Sequence, residues 1–348
     1  MKKSQTFFVA FILSVASYAQ NFLSLDLKAN KLLYDGKRNK IYATVNSLDV
    51  NQGNNVVQIN PSTGVIENSV FVGSDPNIMT FTKDTNYLYV ALEGASFVKR
   101  VNLNNFTVDR SISLGATSNG AMYAQDIATV KLDNDLVVVA RKYTSISPVH
   151  AGVAAYLRGT KLPSETASHT GSNLIESAND TNFVVGFNIE STEAGMRKMN
   201  IDTISGVTLI RNTQNMGVCC NPKFHNGLIY TDNGKIFDPL TSPPSVVGTC
   251  VLGSGGQYRV EPDFKKNRIY FCSVENKLKI IHFNLQTLAY VGNMLVSDTY
   301  PNDFQSPETE DVIRFGENGL AVIIGQGYFF SNKDKRVVLL KMDVLAGV

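Results

Sequence analysis

Four cysteines and four histidines are the obvious candidates for metal binding or nucleophilic chemistry in this chain of 348 residues. Their spacing argues against both. Cys219, Cys220, Cys250 and Cys272 contain no C-x-x-C pair, and His150, His169, His225 and His282 are scattered, so no zinc site is expected. Neighbouring cysteines rarely bridge each other without strain. A disulfide between Cys220 and Cys250 is therefore expected, with Cys219 as the alternative partner; the other reading is four small buried residues. No G-x-S-x-G elbow is present, and a serine triad has no support. Gly253–Gly256 (GSGG) lacks the Lys-Ser/Thr pair of a phosphate loop. Asp49–Asn55 (DVNQGNN) hints at a calcium loop, but its glycine comes one position early and Asn60 stands where glutamate is needed. No catalytic residue, metal or cofactor is expected.

Polar and aromatic residues in turns are better placed for binding than for reaction. The insertion Arg141–Gly152 offers Arg141, Tyr143 and His150, and the segment Gly325–Lys335 offers Tyr328, Phe329 and Phe330. Aromatic residues on loops serve protein or carbohydrate contact. Asp126 and the stretch Gln257–Glu261, with Arg259 and Glu261, sit at or near first strands that would line a central channel. Asp298–Asp311 is an acidic connection suited to a cation or a polar ligand, or simply to solvent.

The elements that must carry these residues repeat along the chain. One unit places strands at Ile78–Thr82, Tyr87–Leu92, Phe97–Asn102 and Thr107–Ser113, separated by turns rich in Asn, Asp and Gly. Apolar residues alternate with period two, as in a half-buried antiparallel meander. The second-strand phrase recurs at Asp35–Val45, Leu132–Ala140, Asn179–Phe187, Lys223–Thr231, Asp263–Phe271 and Gly316–Gly325. A spacing of about 40–50 residues is the period of a propeller blade. Such a meander covers its faces only by stacking radially on its neighbours. The sequence predicts an all-β fold, a seven-bladed β-propeller. Its blades end near Gly73, Gly115, Gly171, Met216, Gly253 and Val296, and the seventh uses Asp303–Val344. That last unit lacks a fourth strand, and Phe22–Lys28 is a spare one, so the N-terminal strand should complete the last blade.

Ahead of that strand, Lys2 and Lys3 precede a short apolar run, Phe7–Val15, and the small residues Ser17 and Ala19. This is the pattern of a secretory signal peptide over residues 1–19, leaving residues 20–348 as a single propeller domain. Loss of Lys2 and Lys3 takes the formal charge from +2 to zero. A neutral chain without basic runs has no footprint for nucleic acid, and no later apolar run is long enough to span a membrane. A secreted or periplasmic protein is expected.

The phrases Ile41–Asn46 (IYATVN), Tyr89–Ala91 (YVA) and Ile229–Asn233 (IYTDN) resemble the YVTN-type β-propeller repeats of exported bacterial and archaeal surface proteins. The resemblance spans nearly all of residues 20–348. It implies fold and export more than activity, because such propellers include binders, scaffolds and enzymes. The function expected is a non-catalytic binding or scaffold module for protein or glycan ligands at the cell envelope. A lactonase-like hydrolase or lyase with its site in the central channel is the alternative.

Overall fold

The computed structural model describes residues 22–177, 182–188, 195–213, 221–253, 257–327 and 334–341. The signal segment, Cys219, Cys220, Tyr328 and Phe329 lie outside the described residues. The described residues form strands and turns with no helix, so none is long and apolar enough to cross a membrane.

Strand β1 (Phe22–Asp26) stands apart from its sequence neighbours. The first sheet is the meander β2 (Ala29–Asp35), β3 (Lys40–Val45), β4 (Asn55–Ile59) and β5 (Ile66–Phe71). The second is β6 (Pro76–Phe81), β7 (Tyr87–Leu92), β8 (Phe97–Asn102) and β9 (Thr107–Ser113). A small hairpin, β10 (Ala116–Thr117) and β11 (Gly120–Ala121), follows. Next come β12 (Tyr123–Ala128), β13 (Leu136–Lys142), β14 (His150–Leu157) and β15 (Thr160–Glu165). They are joined to β16 (Leu174–Ser177), β17 (Phe183–Phe187), β18 (Met196–Asp202) and β19 (Gly206–Thr213) in one eight-stranded sheet, ordered β12-β13-β14-β15-β19-β18-β17-β16. The join between β15 and β19 is a single parallel pair, Ser164 with Gly206.

Two further meanders follow. One is β20 (Lys223–His225), β21 (Leu228–Tyr230), β22 (Lys235–Asp238) and β23 (Ser245–Thr249). The other is β24 (Arg259–Asp263), β25 (Arg268–Val274), β26 (Leu278–Asn284) and β27 (Tyr290–Val296). The last sheet is β28 (Glu308–Phe315), β29 (Gly319–Gly325), β30 (Lys335–Lys341) and then β1, which pairs antiparallel with β30 from Phe22 opposite Leu340 to Asp26 opposite Arg336. The N-terminal strand therefore does supply the missing fourth strand.

The arrangement is that of a β-propeller. The inner strands neighbour one another in the order β2, β6, β12, β16, β20, β24, β28 and back to β2. Each apolar cluster is shared between neighbouring sheets. Leu32, Ile41 and Val57 of the first sheet pack with Ile313, Ala321 and Leu339 of the last, and Tyr42 and Val56 pack with Met79, Leu88 and Val90 of the second. Burial on both faces explains why second strands such as Leu88–Leu92 and Leu136–Arg141 are buried throughout rather than alternately. Each such side chain contributes about 1.5–3 kcal/mol.

An inner strand has one unpaired edge facing the axis, and its N–H groups need acceptors. Carboxylates from the preceding sheet supply several. Leu32 N donates to Asp311 Oδ2 at 3.0 Å, Ile175 N to Asp126 Oδ2 at 2.7 Å, and Arg314 N to Glu261 Oε1 at 3.0 Å. This need places acidic side chains at the centre of the ring.

Candidate functional site

The central channel holds a cavity of about 370 Å³ lined by residues of every inner strand. All but β6 contribute a charged side chain, among them Lys31, Asp126, Glu176, Lys223, Glu261 and Asp311. Lys31 Nζ lies 3.0 Å from Asp311 Oδ1, and Lys223 Nζ lies 2.5 Å from Glu261 Oε2. Lys223 also donates to the carbonyl oxygen of Val312. Burial works against charge on Lys223, but Glu261 and Asp311 outweigh it and hold the ammonium protonated. Burial likewise opposes the charge on Asp311, and Lys31 and Lys223 overcome it, so its carboxyl stays below the usual range.

Asp126 and Glu176 behave differently. They stand on the adjacent inner strands β12 and β16, and no basic group lies within ion-pair distance of either. Burial pushes the Asp126 carboxyl up to about 7, against the pull of the Ile175 and Ile127 backbone N–H groups. Glu176 is raised to about 8, first by burial and then by Asp126, while Lys31, Lys223 and Lys83 pull the other way. The Glu176 carboxyl lines the cavity and has no hydrogen-bond partner among the described residues.

The rim of the channel is more fully paired. Arg259 Nε donates to the Glu310 carbonyl at 2.9 Å, and its Nη1 to the Tyr258 carbonyl at 3.0 Å. Arg259 Nη1 is 3.7 Å from Asp232 Oδ2. Glu310 pairs with Lys335 at 2.6 Å, and Arg314 with Asp263 at 2.6 Å. His225 stacks on Phe264 with centroids 4.5 Å apart, and burial lowers its pKa, which leaves a neutral ring.

The structure brings Arg259, Glu261 and Asp126 together with Asp311, the last residue of the acidic connection. It does not bring Arg141, Tyr143 and His150 to that site or to a rim surface. All three are buried, and Arg141 and His150 belong to strands β13 and β14 rather than to an exposed insertion. Arg141 Nη2 donates to the Ala151 carbonyl and pairs with Glu165, each at 3.0 Å. Tyr143 OH accepts from Thr117 Oγ1 at 3.0 Å. The His150 ring nitrogens have no hydrogen-bond partner among the described residues, and burial lowers the ring's pKa to about 4. These positions hold the third meander together.

Cys250 and Cys272 are buried free thiols. The expected Cys220–Cys250 bridge is not shown: Cys250 is a free thiol here, and Cys220 lies outside the described residues. Burial raises both thiols to about 12, so neither is a thiolate nucleophile at neutral pH.

Sequence reasoning missed Lys31, Glu176 and Lys223. The signal was available: every first strand but Pro76–Phe81 carries an acidic or basic residue.

No family model matches the sequence, the YVTN-type repeats included, and no curated protein matches it. Many solved chains match the structure. One is titled "Kuenenia stuttgartiensis Hydrazine Synthase", with a TM-score of 0.65 and 14% sequence identity, over 96% of this chain and 100% of that chain. At that identity the likeness is one of fold, and the fold is a β-propeller.

Proposed function

We propose that this protein is an exported, seven-bladed β-propeller that binds a polar ligand at its central channel without transforming it. The blade count rests on the cycle of inner strands and on the join between β15 and β19. One residue pair between two outer strands is weak grounds for treating eight strands as one blade, so the sheet counts as two. Export rests on the N-terminal pattern, and N-terminal sequencing of secreted protein should start at Gln20.

The observation that carries the binding reading is the cavity with charges from nearly every inner strand. At about 370 Å³ it falls within the roughly 300–1,000 Å³ typical of small-ligand sites. Donors on Lys31 and Lys223 and acceptors on Asp126 and Glu176 suit a glycan residue or a polar side chain of a protein ligand at the cell envelope. A glycan and peptide array probed with residues 20–348 tests this, with Lys31→Gln as the channel control. Binding that fades in the variant supports the reading. Binding that is indifferent to it moves the ligand elsewhere and overturns the channel.

The hydrolase or lyase reading draws on Asp126 and Glu176. With carboxyls raised to about 7 and 8, one could give and the other accept a proton near neutrality. Turnover on a lactone and glycan panel, abolished by Glu176→Gln, would replace binding with catalysis.

A further inference from the structure

The charges of the channel do not balance. Lys31 is matched by Asp311 and Lys223 by Glu261. Glu310 is matched by Lys335 and Arg314 by Asp263. Asp126 and Glu176 remain without a contacting cation. Asp126 has a structural duty, because it accepts the Ile127 and Ile175 N–H groups at 2.8 and 2.7 Å. Glu176 has none. Glu176 is half-buried, and a partly desolvated carboxyl without hydrogen bonds carries a cost that a glutamine would reduce. Its side chain opens on a cavity that a small molecule fits.

Resting on the channel-binding reading, we propose that Glu176 and Asp126 receive the ammonium group of a small primary-amine ligand, with Lys31 and Lys223 holding its hydroxyl or carbonyl oxygens. The two acids supply the negative charge, and the ligand supplies the missing positive charge. Each lysine has N–H capacity left after its carboxylate partner. A multivalent metal fits worse: among the described residues no group of three or more His, Cys, Asp or Glu side chains could hold a metal ion.

The proton balance is definite. Near neutral pH the Asp126–Glu176 pair holds about one proton, shared as a coupled titration. An ammonium entering between the carboxyls lowers both pKa values, so the pair's proton leaves to solvent as the ligand binds. The groups facing the pair are Lys31 with Asp311 and Lys223 with Glu261, each couple in an ion pair, together with Lys83 and with His225, whose pKa burial lowers.

Calorimetry on residues 20–348 at pH 7.5, in two buffers of unlike ionisation enthalpy, tests this. The probes are glucosamine, ethanolamine and the neutral N-acetylglucosamine. The proposal expects both amines to bind, ethanolamine (an ammonium throughout at this pH) with net proton release, N-acetylglucosamine to bind at least tenfold more weakly, and Glu176→Gln to weaken the amines at least tenfold. Because Glu176 has no partner to lose, the variant should fold, and its melting temperature checks that. Equal binding of the neutral sugar, or amine binding unchanged in Glu176→Gln, overturns the proposal while the channel-binding reading stands. No amine binding up to 10 mM also overturns it, and the array then decides the broader reading separately.

Discussion

At the scale of single residues, the channel acids set an unusual dependence of stability on pH. Asp126 and Glu176 have folded pKa values of about 7 and 8, above their ordinary values of 3.8 and 4.5. Between those limits the native state binds more protons than the unfolded chain, so stability falls as pH rises. The ceiling is about 1.4 kcal/mol per pH unit for each proton, and water in the cavity reduces it. Asp135 and Asp311 have depressed pKa values; they contribute stability above their unfolded pKa that is lost in acid. Stability should therefore peak near pH 5 to 6 and decline toward pH 9. Glu176→Gln should flatten the alkaline decline and be the more stable form at pH 8.5, measured by urea unfolding across pH. A wild-type curve that is level from pH 6 to 9 would show that Glu176 is solvated as an ordinary carboxylate.

At the scale of elements, the strands of the second meander were legible almost to the residue. Tyr87–Leu92, Phe97–Asn102 and Thr107–Ser113 were read from alternation and appear as β7, β8 and β9 with those bounds. Clear Asn, Asp and Gly turns made this possible; Thr85 and Phe106 take positive φ there although neither residue is small. The third meander was misread because Pro148 and Gly152 look like loop punctuation. Strand β14 starts at His150, and Gly152 lies inside it with φ near 83°. A Cβ at Gly152 would meet the Thr166 carbonyl oxygen at 2.3 Å, so the glycine marks a close backbone approach within the sheet. The charged residues of the channel were only partly legible, because which inward side chains meet depends on closure of the ring. Strand β1 offers the sharpest test at this scale. Leu25 packs on the cluster joining first and last sheets, and Phe22 on the cluster joining the last two meanders. Leu25 is half-buried, so replacing it with Asp should cost about 1–3 kcal/mol, less than for a leucine lost from a closed core. Removal of residues 20–28 should cost more, since it also exposes the edge of β30. A truncated chain with an unchanged melting temperature would mean that β1 does not hold the ring.

At the scale of the whole molecule, the latch and the site share one seam. Strand β1 closes the last sheet, and the same junction between last and first sheets is crossed by Lys31–Asp311 and by the Leu32 N–H bond to Asp311. Asp311→Asn takes the carboxylate from the half-buried Lys31 and weakens the bond to Leu32 N, a change that typically costs about 1–3 kcal/mol. That cost depends on the seam being shut. Once β1 is removed the seam loosens, water reaches Lys31, and the same substitution should cost less. Neighbouring changes couple by about 0.5–3 kcal/mol, whereas separated ones add. A double-mutant cycle between deletion of residues 20–28 and Asp311→Asn should therefore fall short of additivity by at least about 1 kcal/mol. Asp126→Asn, which acts at the junction of β12 and β16, should add to the same deletion within about 0.5 kcal/mol. Urea unfolding of the four proteins in each cycle measures both. If the Asp311 cycle is additive, the terminal latch and the channel are energetically separate. Equal coupling in both cycles would instead mean that the whole ring loosens at once.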